Sequence, residues 1–431
     1  VSPDGQSITF KLRSGVVFHD GTVFDAAAVK YNFDRVIDPS VKAFAHIFVE
    51  NLTSTEVVDP QTVKVNFKGA SGALLAALTG PAGMIVSPTA AKAEGDKFTD
   101  HPVGTGPFEF VNWAPADHVE VKRFDKYWKH DATGQPLPYL DGVLTRDITN
   151  SAVKLVELRS GNVQLGDIVQ EKDYDTIKRD PNLELLQNPV GISQYLSFPV
   201  EKAPWTDVKL REAITDAINP AVLSKVTTGG AGTLLATFET PASWAFDSSL
   251  KPHTYDPKKA AELYKESGHQ GPINMIIGNR DVDIKIAQVI QSELAAIGIK
   301  MTIEVLERQA FFDKGINQKY DLMLQRTAMP LPDPDMLYSS AYGANASVNY
   351  AGIKDPDIVK AVEDARAAKD QPTRKQLYSK IQGILLDKYY QVFFFWRPNQ
   401  GVRRKRLNDV ELDYMGDWRL DHASFSGEPP K

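Results

Sequence analysis

Between Asp283 and Val305 the apolar residues change period within one residue, and no other feature of the chain constrains the fold as tightly. Ile286, Ile290, Leu294 and Ile297 recur at helical spacing, and Gly298 stops the pattern. Ile299, Met301, Ile303 and Val305 then alternate with Lys300, Thr302 and Glu304. A helix that runs straight into a half-buried strand is the unit from which α/β layers are built. The second half of the chain repeats this alternation. Asp207 opens a helix with Leu210, Ile214 and Ile218 on one stripe, ended by Asn219-Pro220. Asp256-Pro257 supplies a cap and a first-turn proline, with Gly268 as the stop. Helices over about 356–369 and 373–388 precede an aromatic segment from Val392 to Trp396. In the first half Ile8, Phe10 and Leu12 alternate as a strand, as do Val63, Val65 and Phe67, with His118 to Phe124 a weaker case. Asp25 can cap a helix carrying Val29, Phe33 and Val36 or Ile37.

A chain of 431 residues exceeds one ordinary core, so two or three domains are expected. There is no fixed-period repeat and no long Gly/Ser linker, which favours lobes joined by strands. Apolar residues make up 42% and charged residues 24%, the balance of a soluble globular protein. Net charge is −6 with both signs mixed along the chain, and no concentrated basic stripe suits nucleic acid. The short run Arg403-Arg404-Lys405-Arg406 reads as a solvated turn. Ala73 to Val86 is broken by Gly80-Pro81 and falls short of the ~20 apolar residues a spanning helix needs. Ser2-Pro3-Asp4-Gly5 is turn chemistry leading into a strand, so the natural start is expected to lie outside this numbering.

Signatures of chemistry fail their tests. With no cysteine, thiolate metal sites and a cysteine nucleophile are excluded. No two histidines sit at i, i+4, and no His-Glu-x-x-His occurs, so no metal site is assigned. Gly104-Thr105-Gly106-Pro107 has proline where a dinucleotide loop needs free backbone, and phosphate-loop and nucleophile-elbow patterns are missing. Pro332-Asp333-Pro334-Asp335 reads as a rigid turn. No cofactor and no catalytic residue is assigned. A hydrolase acting on a small solute stays open as the rival reading.

Four blocks carry a resemblance. The first is Phe10-Lys11-Leu12-Arg13-Ser14-Gly15-Val16-Val17-Phe18-His19-Asp20-Gly21-Thr22, followed by Arg35-Val36-Ile37-Asp38-Pro39. The second is Gly104-Thr105-Gly106-Pro107-Phe108, Trp113, Tyr127-Trp128 and Pro138-Tyr139-Leu140-Asp141. The third is Leu158-Arg159-Ser160-Gly161 before Asp167, then Asp207-Val208-Lys209-Leu210-Arg211-Glu212-Ala213-Ile214. The fourth is Tyr255-Asp256-Pro257-Lys258-Lys259-Ala260 with Leu294-Ala295-Ala296-Ile297-Gly298-Ile299. In this order, over nearly the whole chain, they resemble the family-5 extracytoplasmic solute-binding proteins of bacterial ABC importers, which bind oligopeptides, dipeptides, nickel, opines and oligosaccharides. The resemblance implies an α/β fold of the periplasmic-binding-protein type (type II, large cluster-C-type), with two hinged lobes and a small inserted accessory domain. Residues 1–102 would be the accessory domain, 103–198 with 398–431 a first lobe lacking its first strand, and 199–397 the second lobe. It further implies a monomer that captures a small molecule in an interlobe cleft and delivers it to a membrane permease. The place would be the periplasm, or a lipid anchor in a Gram-positive cell.

Departures from the family bear on the ligand. Peptide-binding relatives hold the ligand's amino terminus with an acidic residue before the Asp-Pro turn, and Pro330 stands at that place. Arg280 with Asn279, Arg308 and Arg326 fall on loops that the resemblance turns towards the cleft, with Tyr195, Phe238, Trp244, Phe395, Trp396 and Arg397 completing the expected set. Three arginines suggest an acidic ligand such as an opine, a modified peptide or a sugar acid. An ordinary di- or oligopeptide, or a neutral oligosaccharide stacked on Trp244 and Trp396, are the alternatives.

Overall fold

A computed structural model describes residues 1–41, 43–69, 73–167, 173–327, 332–413 and 417–427. The chain divides into two compact units, residues 1–188 with 400–431, and residues 189–399.

In the first unit, β1 (Ser7–Lys11), β2 (Leu52–Asp59) and β3 (Thr62–Phe67) form an antiparallel sheet in the order β1-β3-β2. Helix α1 (Ala26–Ile37) packs on β2 and β3, and Asp25 caps it by accepting the Ala28 N–H at 2.8 Å. The period-two pattern of β3 buries Val63, Val65 and Phe67 on one face. A second sheet joins β4 (Phe108–Ala114), β5 (His118–Arg123) and β6 (Gly142–Arg146). Helix α2 (Ser151–Ser160) buries Leu158 against Ile177, Leu183 and Val402. Among the described residues no helix is long and apolar enough to cross a membrane.

The largest sheet has seven strands. They are β7 (Leu165–Gly166), β8 (Leu183–Ser197), β9 (Thr233–Leu234), β10 (Ile273–Gly278), β11 (Met301–Leu306), β12 (Leu322–Thr327) and β13 (Gln391–Arg404). Their order is β11-β10-β12-β8-β13-β7, with β9 on β13. β10 runs parallel to both β11 and β12, and β8 pairs antiparallel to β12. Both boundaries between the units fall inside strands, at 188/189 in β8 and 399/400 in β13. Gly191 lies where β8 passes β13. Its φ is +44°, and a Cβ there would meet the Arg397 carbonyl oxygen at 2.1 Å, so only glycine fits.

The second unit shows why the local pattern was readable. Asp207 caps α3 (Val208–Ala217), and Asp256 caps α5 (Pro257–Ser267), whose end is Gly268 at φ +68°. Between them Asn219 does not merely end a helix. It accepts N–H bonds from Ala221 and Val222 and so opens α4 (Pro220–Thr228), a helix the apolar spacing had not suggested. Helix α6 (Asp281–Ala296) buries Ile286, Ile290 and Leu294 on one face, as the four-residue spacing requires. The strand after it begins at Met301 rather than Ile299, and Val305 is 48% exposed. β11 is an edge strand, so only its β10 side is covered. Helices α7 (Arg308–Ile316), α8 (Asp335–Tyr342), α9 (Pro356–Ala367) and α10 (Gln371–Asp387) complete the unit. Its core holds Trp205 stacked on Phe198 at 5.1 Å, with Tyr338, Tyr378, Phe394 and Phe395 fully buried.

The basic run is not a solvated turn. Arg403 donates to Glu184 at 2.9 Å and Arg404 to the Leu158 carbonyl at 2.8 Å, while Arg406 lies over Phe425 at 5.5 Å. Carbonyls at the end of α2 and the Glu184 carboxylate supply partners that sequence spacing cannot reveal.

Candidate functional site

A cavity of about 490 Å³ opens within the second unit, in the range of ~300–1,000 Å³ usual for small-molecule sites. It lies at the C-terminal ends of the three parallel strands. Gly278, Asn279 and Arg280 follow β10, Arg308 opens α7 just after β11, and Arg326 and Thr327 end β12. Ligands in open α/β sheets bind at this end, because the connecting loops and helix N-termini converge there. Helices α6 and α7 both start at the cavity, and neither has a side-chain cap bond at its N-cap residue. Their amide ends add positive potential.

The remaining wall combines six aromatic rings with aliphatic and amide side chains. Phe311 and Phe312 come from α7, three and four residues after Arg308 and therefore on its face. Phe312 stacks on Tyr350 with ring centroids 6.2 Å apart. Tyr195 on β8 is half-buried, its phenol pushed well up by burial, and its ring lies 5.6 Å from Phe393. Phe238 packs against Tyr338 at 5.0 Å and Tyr342 at 6.1 Å. The Tyr342 hydroxyl donates to Gln391 Oε1, whose amide in turn donates to Ser197 Oγ at 2.9 Å.

Charge is concentrated at one end. Arg280 donates through Nε and Nη2 to Asp283 Oδ2, at 2.9 and 2.6 Å. Asp283 is buried, which raises its pKa, and Arg280, Arg326 and Arg397 oppose that rise. Its Oδ1 makes no hydrogen bond. Arg326 is an exposed residue that lines the cavity. Burial lowers its pKa, the neighbouring charges of Arg280, Arg397 and Arg308 lower it further, and Asp283 opposes them. Arg308 lies over the Phe312 ring at 5.9 Å. Among the described residues neither Arg308 nor Arg326 has a carboxylate within ion-pair distance.

Six of the expected residues, Asn279, Arg280, Arg308, Arg326, Tyr195 and Phe238, thus line one cavity. The others do not line it. Trp244 donates its indole N–H to the Pro332 carbonyl at 3.2 Å and covers Arg374 at 5.1 Å. Phe395 is fully buried and pairs with Leu234 on β9, and the neighbouring Trp396 pairs with Thr233. Arg397 is half-buried and acts on Asp283 and Arg326 through its charge. Neither Trp244 nor Trp396, the pair expected to stack on a sugar, therefore lines this cavity. Pro330 lies outside the described residues. Sequence reading missed Phe311, Phe312 and Asp283, although their spacing from Arg308 and Arg280 places each pair on one helical face.

A pre-formed cavity with an aromatic body and a few convergent polar groups, at the strand ends of an α/β unit, defines a small-molecule-binding protein. The model of the bacterial extracellular solute-binding proteins, family 5, matches residues 1–349, and the chain belongs to that family. It is accordingly a solute-binding component of an ABC importer. Family relatives of this kind are extracytoplasmic, and they imply a small-molecule ligand and a membrane permease as partners. The glutathione-binding protein GsiB of Shigella flexneri is 37% identical over 441 residues, covering 99% of this chain and 83% of the relative. GsiB of Escherichia coli K12 is 36% identical over the same span. The periplasmic protein AgaA of A. tumefaciens R10, solved with agropinic acid, has a TM-score of 0.85 and 25% identity, with 100% of this chain and 89% of that one covered. NikA of Brucella suis, solved with Fe(III)-EDTA, shares the fold with a TM-score of 0.87 at 22% identity, over 99% and 89% of the two chains.

Proposed function

We propose that the ligand carries a carboxylate or other acidic group, held at the cavity by Arg326 and Arg308, with Arg280 kept in place by Asp283. The observation that carries this reading is that Arg308 and Arg326 face the cavity without a carboxylate partner among the described residues. A guanidinium presents a planar fork that grips a carboxylate through two parallel bonds, giving orientation as well as attraction. The helix ends at Asp281 and Arg308 favour the same sign of ligand charge. Similarity to a glutathione binder and to a protein solved with agropinic acid supports an acidic small molecule over a neutral sugar. In this reading the protein acts as a monomer and does not turn its ligand over. Its lobes follow the two units, dividing at 188/189 and 399/400 where the sequence had suggested 198/199 and 397/398, with residues 1–102 an accessory domain, and it is periplasmic, or lipid-anchored in a Gram-positive cell.

Native mass spectrometry of protein purified without denaturation identifies the retained molecule. Titration calorimetry with that molecule should then show Arg326→Ala and Arg308→Ala each weakened by roughly 1.5–3 kcal/mol, more than about tenfold. A retained ligand without an acidic group, or two variants that bind like wild type, removes the proposal. Conversion of the ligand during incubation would instead revive the hydrolase reading.

A further inference from the structure

The charges around the cavity say more than that an acid is welcome. Three guanidiniums line it, those of Arg280, Arg308 and Arg326, and Arg397 adds its field to Arg326. The carboxylate in their midst is Asp283, which is buried, with Oδ2 engaged by Arg280 and Oδ1 unbonded but closed to solvent. Asp281 at the start of α6 and Glu307 before α7, which accepts from Asn279 at 3.0 Å, lie nearby without lining the cavity. Two helix N-termini add to the positive side. The rest of the described lining is neutral, with Asn279, Gln325, Asn349 and Gln391 supplying amides and Phe312 and Tyr350 supplying ring faces.

A ligand ammonium placed here meets surplus charge of its own sign and has no lining carboxylate, among the described residues, to offset its desolvation. Acylating that amine removes the charge and leaves one N–H donor and one carbonyl acceptor. Asn349 and Gln391 each use one N–H and one lone pair within the protein, and each keeps a second N–H and a second lone pair for such a group. We infer that the cavity selects acids whose amino group is absent, acylated or tied up in an amide or ring, over the same acids bearing a free ammonium. This rests on the acidic-ligand reading and narrows it to a substrate class.

The test is calorimetric titration of the whole protein with three probes of one skeleton: glutathione, N-acetylglutathione and glutathione diethyl ester. The expected result is that the acetylated probe binds about threefold to tenfold tighter than glutathione, and the diester at least about tenfold weaker. The preference for the acetylated probe should shrink in Arg326→Ala, a ratio that a general loss of folded protein would not move. If the diester is weakened but acetylation also weakens binding about tenfold, this inference is wrong and the acidic-ligand reading stands. If the diester binds as well as glutathione, or none of the three binds, both fall.

Discussion

Arg374→Ala should destabilise the second unit by about 3–5 kcal/mol, the usual loss when one partner of a buried ion pair is removed. From α10, Arg374 donates Nη1 to Asp333 Oδ2 and Nη2 to Asp333 Oδ1, both at 2.6 Å. Its Nε donates to the Ala365 carbonyl at 3.2 Å, and Nη2 also reaches the Tyr378 hydroxyl at 3.0 Å. The two side chains are 6% and 10% exposed, so water cannot replace the missing partner. Burial alone would pull the Arg374 pKa down, but the Asp333 bonds and charge raise it above the ordinary value. Alanine would leave Asp333 charged beside Asp335, itself buried and lifted by burial first. The double variant Arg374→Met, Asp333→Asn should recover most of the loss, because neither charge is then left alone. Urea unfolding followed by tyrosine and tryptophan fluorescence reads both. A single variant that loses under about 1 kcal/mol would mean the pair is solvated in solution.

Glu239 predicts a stability that declines with pH. It is fully buried one residue after Phe238, and neither carboxylate oxygen makes a hydrogen bond. Burial pushes its pKa from 4.5 to about 7; the nearby Ser243 and Tyr338 hydroxyls pull it back only in part, and Asp333 adds to the rise. Below about pH 4.5 the group is protonated in both the folded and unfolded chain, so it contributes nothing. Between about 4.5 and 7 the unfolded chain releases the proton first, and each pH unit costs the fold about 1.4 kcal/mol. Above about 7 the penalty levels off near 3 kcal/mol. Glu239→Gln keeps the shape and removes the titration. Its thermal midpoint should match wild type near pH 4, rise above it through the interval, and hold a constant lead by pH 8. An offset that does not grow with pH would show that the carboxylate finds partners when charged.

What could be read in advance follows the range of the interactions. Asp25, Asp207 and Asp256 each bond to an N–H two or three residues on, so their helices are written locally. Asn219 has the same capacity but follows an apolar stripe, and the stripe had suggested an end rather than a beginning. Arginines at strand ends could be placed because helix and strand periods fix where a loop must fall. Trp244, Phe395 and Trp396 could not, since an aromatic residue serves a core and a cavity equally well. The same limit hid the pairing of Arg374 with Asp333, and of Arg404 with Leu158, across long stretches of chain. Only tertiary packing decides which cations stay unpaired and so face a ligand.

Unit boundaries that fall inside β8 and β13 also set an order of assembly during synthesis. The second unit is one uninterrupted stretch, residues 189–399, and begins and ends on neighbouring strands. It can close as soon as its last residues leave the ribosome. The first unit is translated earlier but is completed later. Leu158, Ile177 and Leu183 wait for Val402 to cover them, β7 waits for the same strand, and Lys129 waits for Asp421 at 2.6 Å. For most of translation the older half of the chain is therefore the less finished one. A nascent or C-terminally shortened molecule exposes that apolar cluster while the unit that bears the cavity is already whole, which makes the first unit the place where a chaperone or a protease would engage it.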